Sequence, residues 1–265
     1  MKPRSATGLI ALLTDFGTRD WYVATLKAVI LSRAPTATLV DITHEIPPQD
    51  VVAGAFTLAA VAPWFPRGTV FLAVVDPGVG SDRALLAVHA DGYYFVGPDN
   101  GLLALSLQHL RRPTIIQLTQ RRYWMSEISH TFHGRDIMAP IAAHLARGRA
   151  LTSLGRPLRH VTPLPLPTVQ HRGRKTIGHI IHLDVFGNLI TNLTASLITM
   201  RGQYATPTLR YQHHTVRVVS SYAAGHPNEL IGVVGSLGLV ELAIQNGSAA
   251  WTFNARRGDE VTLLE

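Results

Sequence analysis

The densest chemistry in this chain is a carboxylate and a guanidinium seven positions apart. Residues 69–75 form an apolar, Val-rich run that ends abruptly at Asp76, Pro77 and Gly78, a turn sequence, with Arg83 just before a second apolar run. A carboxylate at the end of a buried strand and a following arginine can face one crevice, the usual place for ligands in open α/β sheets. Asp76 could equally cap its own turn and Arg83 reach into solvent. Asp15 stands at the end of another apolar run, residues 9–14, where a carboxylate can grip a vicinal diol with two hydrogen bonds. Asp15 and Asp20 could instead be N-caps of the helix that follows. His133 sits beside Gly134 in a loop entering a helix, placed to act as acid, base or donor near neutral pH, or to serve structure alone. Farther on, Asp184, Phe186 and Asn188 fall in one turn, with Ser236, Leu237, Ser248 and Ala249 in two later ones. Asn can read an adenine edge and Phe can stack on the ring, although these are also ordinary turn residues.

These loops need a scaffold. Apolar runs at 9–14, 38–42, 69–75, 84–88, 93–96 and 114–118 alternate with helical spacing at 21–32, 51–61, 102–110 and 136–147. That order predicts an α/β N-terminal domain with a mostly parallel central sheet. Asp91-Gly92 predicts a hairpin. The prolines and arginines of 159–175 predict a linker between an N-terminal domain, 1–158, and a C-terminal domain, 176–265. Short runs at 176–183, 189–193, 215–219, 230–234, 239–244, 249–253 and 261–264 predict an all-β antiparallel barrel.

Composition narrows the function. Of 265 residues, 46% are apolar and 15% charged, which is globular rather than disordered. No apolar run is long enough to span a bilayer, so no membrane partner is expected. The chain has no cysteine, which removes disulfides, thiolate metal sites and a Cys nucleophile and makes a cytoplasmic enzyme the expectation. The net charge of +7 is scattered, with one short cluster at Arg172, Arg174 and Lys175 and no basic helix face or RNA-type aromatic strand, so no nucleic-acid partner is expected. His179 and His182 face opposite sides of a strand, and no clustered ligand pattern exists, so no metal site is expected. The Asp-Phe-Gly trio at 15–17 lacks every other kinase element.

The motifs Leu-Thr-Asp15-Phe-Gly, Val-Val-Asp76-Pro-Gly-Val-Gly with Arg83, Phe-Val-Gly-Pro98-Asp-Asn-Gly, Phe-His133-Gly-Arg-Asp and Asp184-Val-Phe-Gly-Asn188 occur here in order. In that series the chain resembles the S-adenosylmethionine (SAM) hydrolases, or SAM hydroxide adenosyltransferases, relatives of the SAM-dependent fluorinase and chlorinase. The resemblance implies hydrolysis of SAM to adenosine and methionine with no cofactor. It also implies a homotrimer whose sites join one subunit's N-terminal domain to its neighbour's C-terminal domain. By the same resemblance Asp76, Arg83 and His133 surround the attacking water, and Asp15 holds the ribose. Asn188 reads adenine beside Phe186, and Asp20, Asp184 and Ser236 meet the methionine end. Phe132, Gly134, Leu237, Ser248 and Ala249 complete the binding set. The halogenases differ: they carry Tyr at the positions of Asp76 and His133, a hydroxyl at Gly134, and, in the fluorinase, Arg at Leu237. An ionised Asp76 would repel a halide by about 4 kcal/mol at 4 Å and an effective dielectric near 20. Halogenation is therefore the disfavoured alternative, beside a non-catalytic SAM or adenosine sensor.

Overall fold

The computed structural model describes residues 6–108, 110–173, 175–202 and 207–264. The basic stretch before Ala6, His109 of the expected 102–110 helix, and Arg174 of the basic cluster lie outside the described residues. The chain divides into two compact units, Met1–Leu164 and Pro165–Glu265.

The first unit contains β1 (Leu9–Thr14), α1 (Tyr22–Arg33), β2 (Thr38–Thr43), α2 (Val51–Val61), β3 (Val70–Val74), β4 (Leu85–Ala90), β5 (Tyr93–Pro98), α3 (Ala104–Leu107), β6 (Thr114–Leu118), α4 (Ala139–Ala146) and β7 (Gly155–Leu158). The strands form one sheet in the order β2-β1-β3-β5-β4-β6-β7. Pairing is parallel from β2 to β5 and antiparallel from β5 to β7. The switch comes from the Asp91-Gly92 turn: both residues have positive φ, which suits the tight hairpin between β4 and β5. Both faces of the sheet are covered. Ile10 and Leu12 of β1 pack with Leu26, Ile30 and Ile141 on one side. Ala11 and Leu13 pack with Ala55, Leu58 and Leu102 on the other. Strands buried on both faces must be apolar throughout, which is why these runs show no polar alternation. β7 ends just before the Pro/Arg-rich stretch and pairs with β6.

The second unit contains β8 (Gln170–Arg172), β9 (Lys175–Leu183), β10 (Leu189–Thr194), α5 (Ala195–Gly202), β11 (Thr208–Tyr211), β12 (His214–Val219), β13 (Leu230–Val234), β14 (Leu239–Ile244), α6 (Ala249–Thr252) and β15 (Glu260–Leu264). Seven strands close a barrel in the order β10-β14-β13-β12-β11-β15-β9, with β9 pairing back to β10. β8 extends the first half of β9 as a short hairpin arm, inside the stretch expected as linker. Closure leaves the barrel's own strands without free edges.

The barrel departs from the expectation in several details, with α5 and β11 lying where no element was expected. β12 and β13 run parallel because the ten residues between them cross over instead of turning back. Residues 249–252, expected as strand, form a helical turn. Ser248 caps it by accepting the Trp251 N–H, a local bond that outweighs the apolar pattern of so short a segment.

Candidate active site

In the first unit the site is built from loops at the C-terminal ends of β1 and β3. β3 is wholly buried, and Val75 after it is 0% exposed, so Asp76 leaves the sheet from a fixed point. Asn100 strengthens that point. Its Nδ2 donates to the Val75 carbonyl at 2.9 Å, and its Oδ1 accepts from the Leu102 N–H at 3.1 Å. Gly97 just upstream allows close packing, since a Cβ there would meet the Ala73 carbonyl at 2.9 Å. The Pro98-Asp-Asn-Gly motif thus braces the strand end that presents Asp76.

Arg83 returns from its loop to grip Asp76 with two hydrogen bonds, from Nε to Oδ1 and from Nη2 to Oδ2. This fork-to-carboxylate geometry fixes orientation as well as charge. Both side chains are nearly buried, 9% and 6% exposed. Gly78 lets the loop wrap the arginine, as a Cβ there would come 3.1 Å from Arg83 Cδ. Arg83 Nη2 also donates to His133 Nδ1 at 3.2 Å. Because a guanidinium can only donate, Nδ1 is the acceptor and the neutral ring carries its proton on Nε2. Burial lowers the His133 pKa, and the Arg83 charge lowers it further. Arg83 and His133 also help wall a cleft of about 490 Å³ with Ser81, Gln117, Arg121 and His130.

His133 is presented by a π-helical turn, Gly134–Met138, that leads into α4; such turns recur at functional sites because they re-aim side chains. Asp136, 1% exposed, stabilises this turn by accepting from the Ser129 N–H and from Arg135. Gly134 is packed against Val74, with only 3.2 Å available to an added Cβ. Phe132 is buried against Phe16 and Tyr22, the three rings lying 5.4–5.7 Å apart.

Asp15 accepts the Gln49 N–H at 2.8 Å. Gln49 adopts φ 66°, the left-handed conformation that aims this amide at the carboxylate. Burial raises the Asp15 pKa and the Asp76 charge adds to it, against the lowering effect of the Gln49 bond. β1 and β3 are parallel neighbours with Thr14 beside Val74, so Asp15 and Asp76 leave adjacent strand ends. The loop after β1 is fixed by His44, which is 4% exposed. Its Nδ1 lies 2.8 Å from Thr14 Oγ1, and its carbonyl accepts the Gly17 N–H at 2.7 Å. Its Nε2 is 3.0 Å from Asp41 Oδ1 but out of line for a hydrogen bond. Asp20 is exposed. The N-cap of α1 is Trp21, which makes no side-chain cap, so neither Asp15 nor Asp20 is the N-cap.

The second unit has its own cavity of about 1120 Å³, walled by Asp184, Phe186, Asn188, Ser236 and Leu237 together with Tyr222 and Glu241. Asp184 organises the turn that bears the others. Its Oδ1 accepts the N–H groups of Phe186 and Asn188, and its Oδ2 accepts the Asn188 side-chain amide, at 2.8–2.9 Å. Phe186 is left 74% exposed. Ser248 packs under this turn, where Gly187 at φ +81° has no room for a Cβ. Ala249 is buried as a whole residue, 0% exposed, with its side chain in the barrel core. Tyr222 and Glu241 escape a reading of the sequence, since one lies in an irregular stretch and the other looks like a solvated residue of an alternating strand.

Residues 10–155 match the SAM hydroxide adenosyltransferase N-terminal domain, and residues 178–262 match the C-terminal domain. The chain belongs to this family. It is 36% identical over 262 residues to the (R)-S-adenosyl-L-methionine hydrolase of Salinispora tropica, covering 97% of this chain and 98% of that one. It is 37% identical to the hydrolase of the same name from Thermus thermophilus, over 96% and 99% of the two chains. A fluorinase from an Actinoplanes species is 29% identical, over 99% of both. Among solved structures, an uncharacterised conserved protein from Thermotoga maritima superposes with a TM-score of 0.90 at 33% identity, covering 97% of this chain and all of that one. The two matched segments together span nearly the whole chain. Among the described residues no group of three or more His, Cys, Asp or Glu side chains is placed to hold a metal ion, and no helix is long and apolar enough to cross a membrane.

Proposed function

We propose that this protein hydrolyses SAM to adenosine and L-methionine, with water as the nucleophile at the ribose C5′. The observation that carries this reading is the contiguous set Asp76–Arg83–His133 beside Asp15, in a chain full-length similar to proteins named as SAM hydrolases. Those names specify the (R) sulfonium, and we extend that preference to this chain.

The chemistry asks for little more than position. A sulfonium leaves as a neutral thioether and needs no general acid or cofactor. The reaction needs an oxygen held in line with the C5′–S bond, which can supply roughly 7–11 kcal/mol when the geometry is good. Arg83 takes one lone pair on each Asp76 oxygen, and each oxygen keeps another. Those remaining lone pairs accept O–H bonds from one water and aim its oxygen at C5′. As the C–O bond forms, the C5′–S electron pair goes to sulfur and the water gives up one proton, which Asp76 receives and passes to solvent. His133 Nδ1 is occupied by Arg83, so His133 acts by orienting the guanidinium and by donating from Nε2, and Asp76 is the proton acceptor.

In the same proposal Asp15 holds the ribose hydroxyls, Phe132 and Gly134 shape the pocket floor, and Asp20 meets the methionine end. The second unit supplies Asn188 and Phe186 for adenine, with Ser248 beneath their turn, and Ser236 and Leu237 at the methionine end. Asp184 serves here chiefly by shaping the turn. The assembly we propose is a homotrimer in the cytoplasm, a compartment compatible with a chain that has no cysteine.

Incubation with each SAM diastereomer in ¹⁸O-water tests the reading. Label in the 5′-hydroxyl of adenosine, faster from the (R) epimer, is expected. Binding without turnover would make the protein a sensor, and 5′-halogenated adenosine in the presence of halide would make it a halogenase.

A further inference from the structure

Asp15 follows Thr14 at the end of β1, and its surroundings are set by an irregularity in β2. Leu12 pairs with Asp41 and Leu13 with Thr43, so β2 carries one residue more than β1 at this point. In a regular extended run Asp41 and His44, three apart, would point to opposite faces. The extra residue cancels that reversal. His44 Nε2 thus comes to 3.0 Å from Asp41 Oδ1, while Nδ1 comes to 2.8 Å from Thr14 Oγ1. Lys27 of α1 holds the other Asp41 oxygen at 2.6 Å.

The order carboxylate, imidazole, hydroxyl is that of a hydrolase triad. Here it serves another purpose, because Thr14 is 0% exposed and can meet no substrate. The Asp41 charge draws the imidazole proton to Nε2, which leaves Nδ1 as acceptor of the Thr14 hydroxyl. Thr14 Oγ1 in turn accepts the Phe16 N–H at 3.3 Å, and the His44 carbonyl accepts the Gly17 N–H at 2.7 Å. His44 therefore secures residues on both sides of Asp15. The same segment makes two more bonds to this loop: Thr18 donates to Glu45 Oε1 at 3.2 Å, and the Gln49 N–H donates to Asp15 Oδ2 at 2.8 Å. A leucine would fill the buried space of His44 without the bond to Thr14, which isolates what the imidazole contributes.

We infer that His44 is a positioning residue for the ribose: through the Thr14 hydroxyl it fixes the bearing of the Asp15 carboxylate. This rests on Asp15 as the ribose ligand in the SAM reading above. His44 touches no reacting atom, so its effect belongs to KM and not to kcat.

The test measures KM and kcat on SAM for the full-length wild type, His44→Leu, Asp15→Ala and the double variant, with calorimetric Kd values for adenosine, which carries the same ribose. His44→Leu should raise KM and the adenosine Kd by about 5- to 10-fold, the worth of one hydrogen bond, and change kcat by less than about twofold. In the Asp15→Ala background the same substitution should add almost nothing, because its effect passes through that carboxylate. His44→Asn, whose amide can stand where Nδ1 stood, should retain the wild-type KM. An equal penalty with and without Asp15, a fall in kcat that follows the melting temperature, or an Asn variant no better than Leu would overturn the inference. If His44→Leu does not fold, Thr14→Val removes the hydroxyl at nearly constant shape and takes its place in the cycle. A wild type that binds adenosine but leaves SAM intact would refute the hydrolase reading alone, and the adenosine Kd values would still decide the role of His44.

Discussion

Asp76 is the residue on which the proposed chemistry turns. Asp76→Asn keeps the shape but exchanges an acceptor oxygen for an NH₂ group that faces the Arg83 donors. Turnover should fall by about 10²–10⁴-fold, the range for a lost proton acceptor, while the calorimetric Kd for SAM shifts less than tenfold. A parallel loss of affinity would assign Asp76 to binding instead. His133 gives the pH dependence. Its pKa is lowered from 6.5 by burial and by Arg83, so it stays neutral to more acid pH than an ordinary histidine. Protonation would put a hydrogen on Nδ1 and set a second cation against the guanidinium. The acid limb of kcat/KM should therefore fall below pH 6.5, and His133→Asn should remove it. A limb that survives unchanged in His133→Asn would belong to Asp15, whose pKa is raised from 3.8 by burial.

At the scale of elements, the site depends on how β3 ends. Asn100, one strand over, holds the Val75 carbonyl and closes its own turn onto Leu102. Asn100→Ala leaves a buried carbonyl unpaired, at a cost of about 1–3 kcal/mol. The melting temperature should drop, and kcat should fall more than KM rises, because Asp76 loses its fixed departure point before substrate binding is touched. A variant with lower stability and unaltered kcat would show the loop to be scaffold alone. The same logic explains the π-helical turn at Gly134–Met138. A regular helix would carry His133 on a different bearing, and Asp136 spends its hydrogen bonds keeping the wider turn in place.

For the whole molecule, large exposed apolar side chains lie on both units, Trp21 and Trp64 on the first at 63% and 79% and Val185, Phe186 and Trp251 on the second at 92%, 74% and 85%. Large exposed apolar groups are what subunit contacts commonly cover. Light scattering should give a mass three times the 28.9 kDa of the chain, and a monomer at micromolar concentration would exclude the trimer. The scattered net charge of +7 should leave SAM affinity nearly insensitive to salt, unlike binding to a polyanion.

The sequence alone determined the α/β first unit, the β-barrel second unit and the loops to watch, because doubly buried strands must be continuously apolar and strand-end loops must carry the polar exceptions. It placed Asp76, Arg83 and His133 as candidates without settling whether they meet. Local pattern misread residues 249–252, where one Ser248 hydrogen bond decides for helix, and the β12–β13 pair, whose direction depends on a crossover and not on composition. Only the tertiary structure decided that Arg83 bonds both Asp76 and His133, that Asp184 is bound to its own turn, and that His44 meets Thr14 beside Asp15. Those outcomes depend on contacts between residues far apart in the chain, and neither periodicity nor spacing records which side chains a fold will bring within 3 Å of each other.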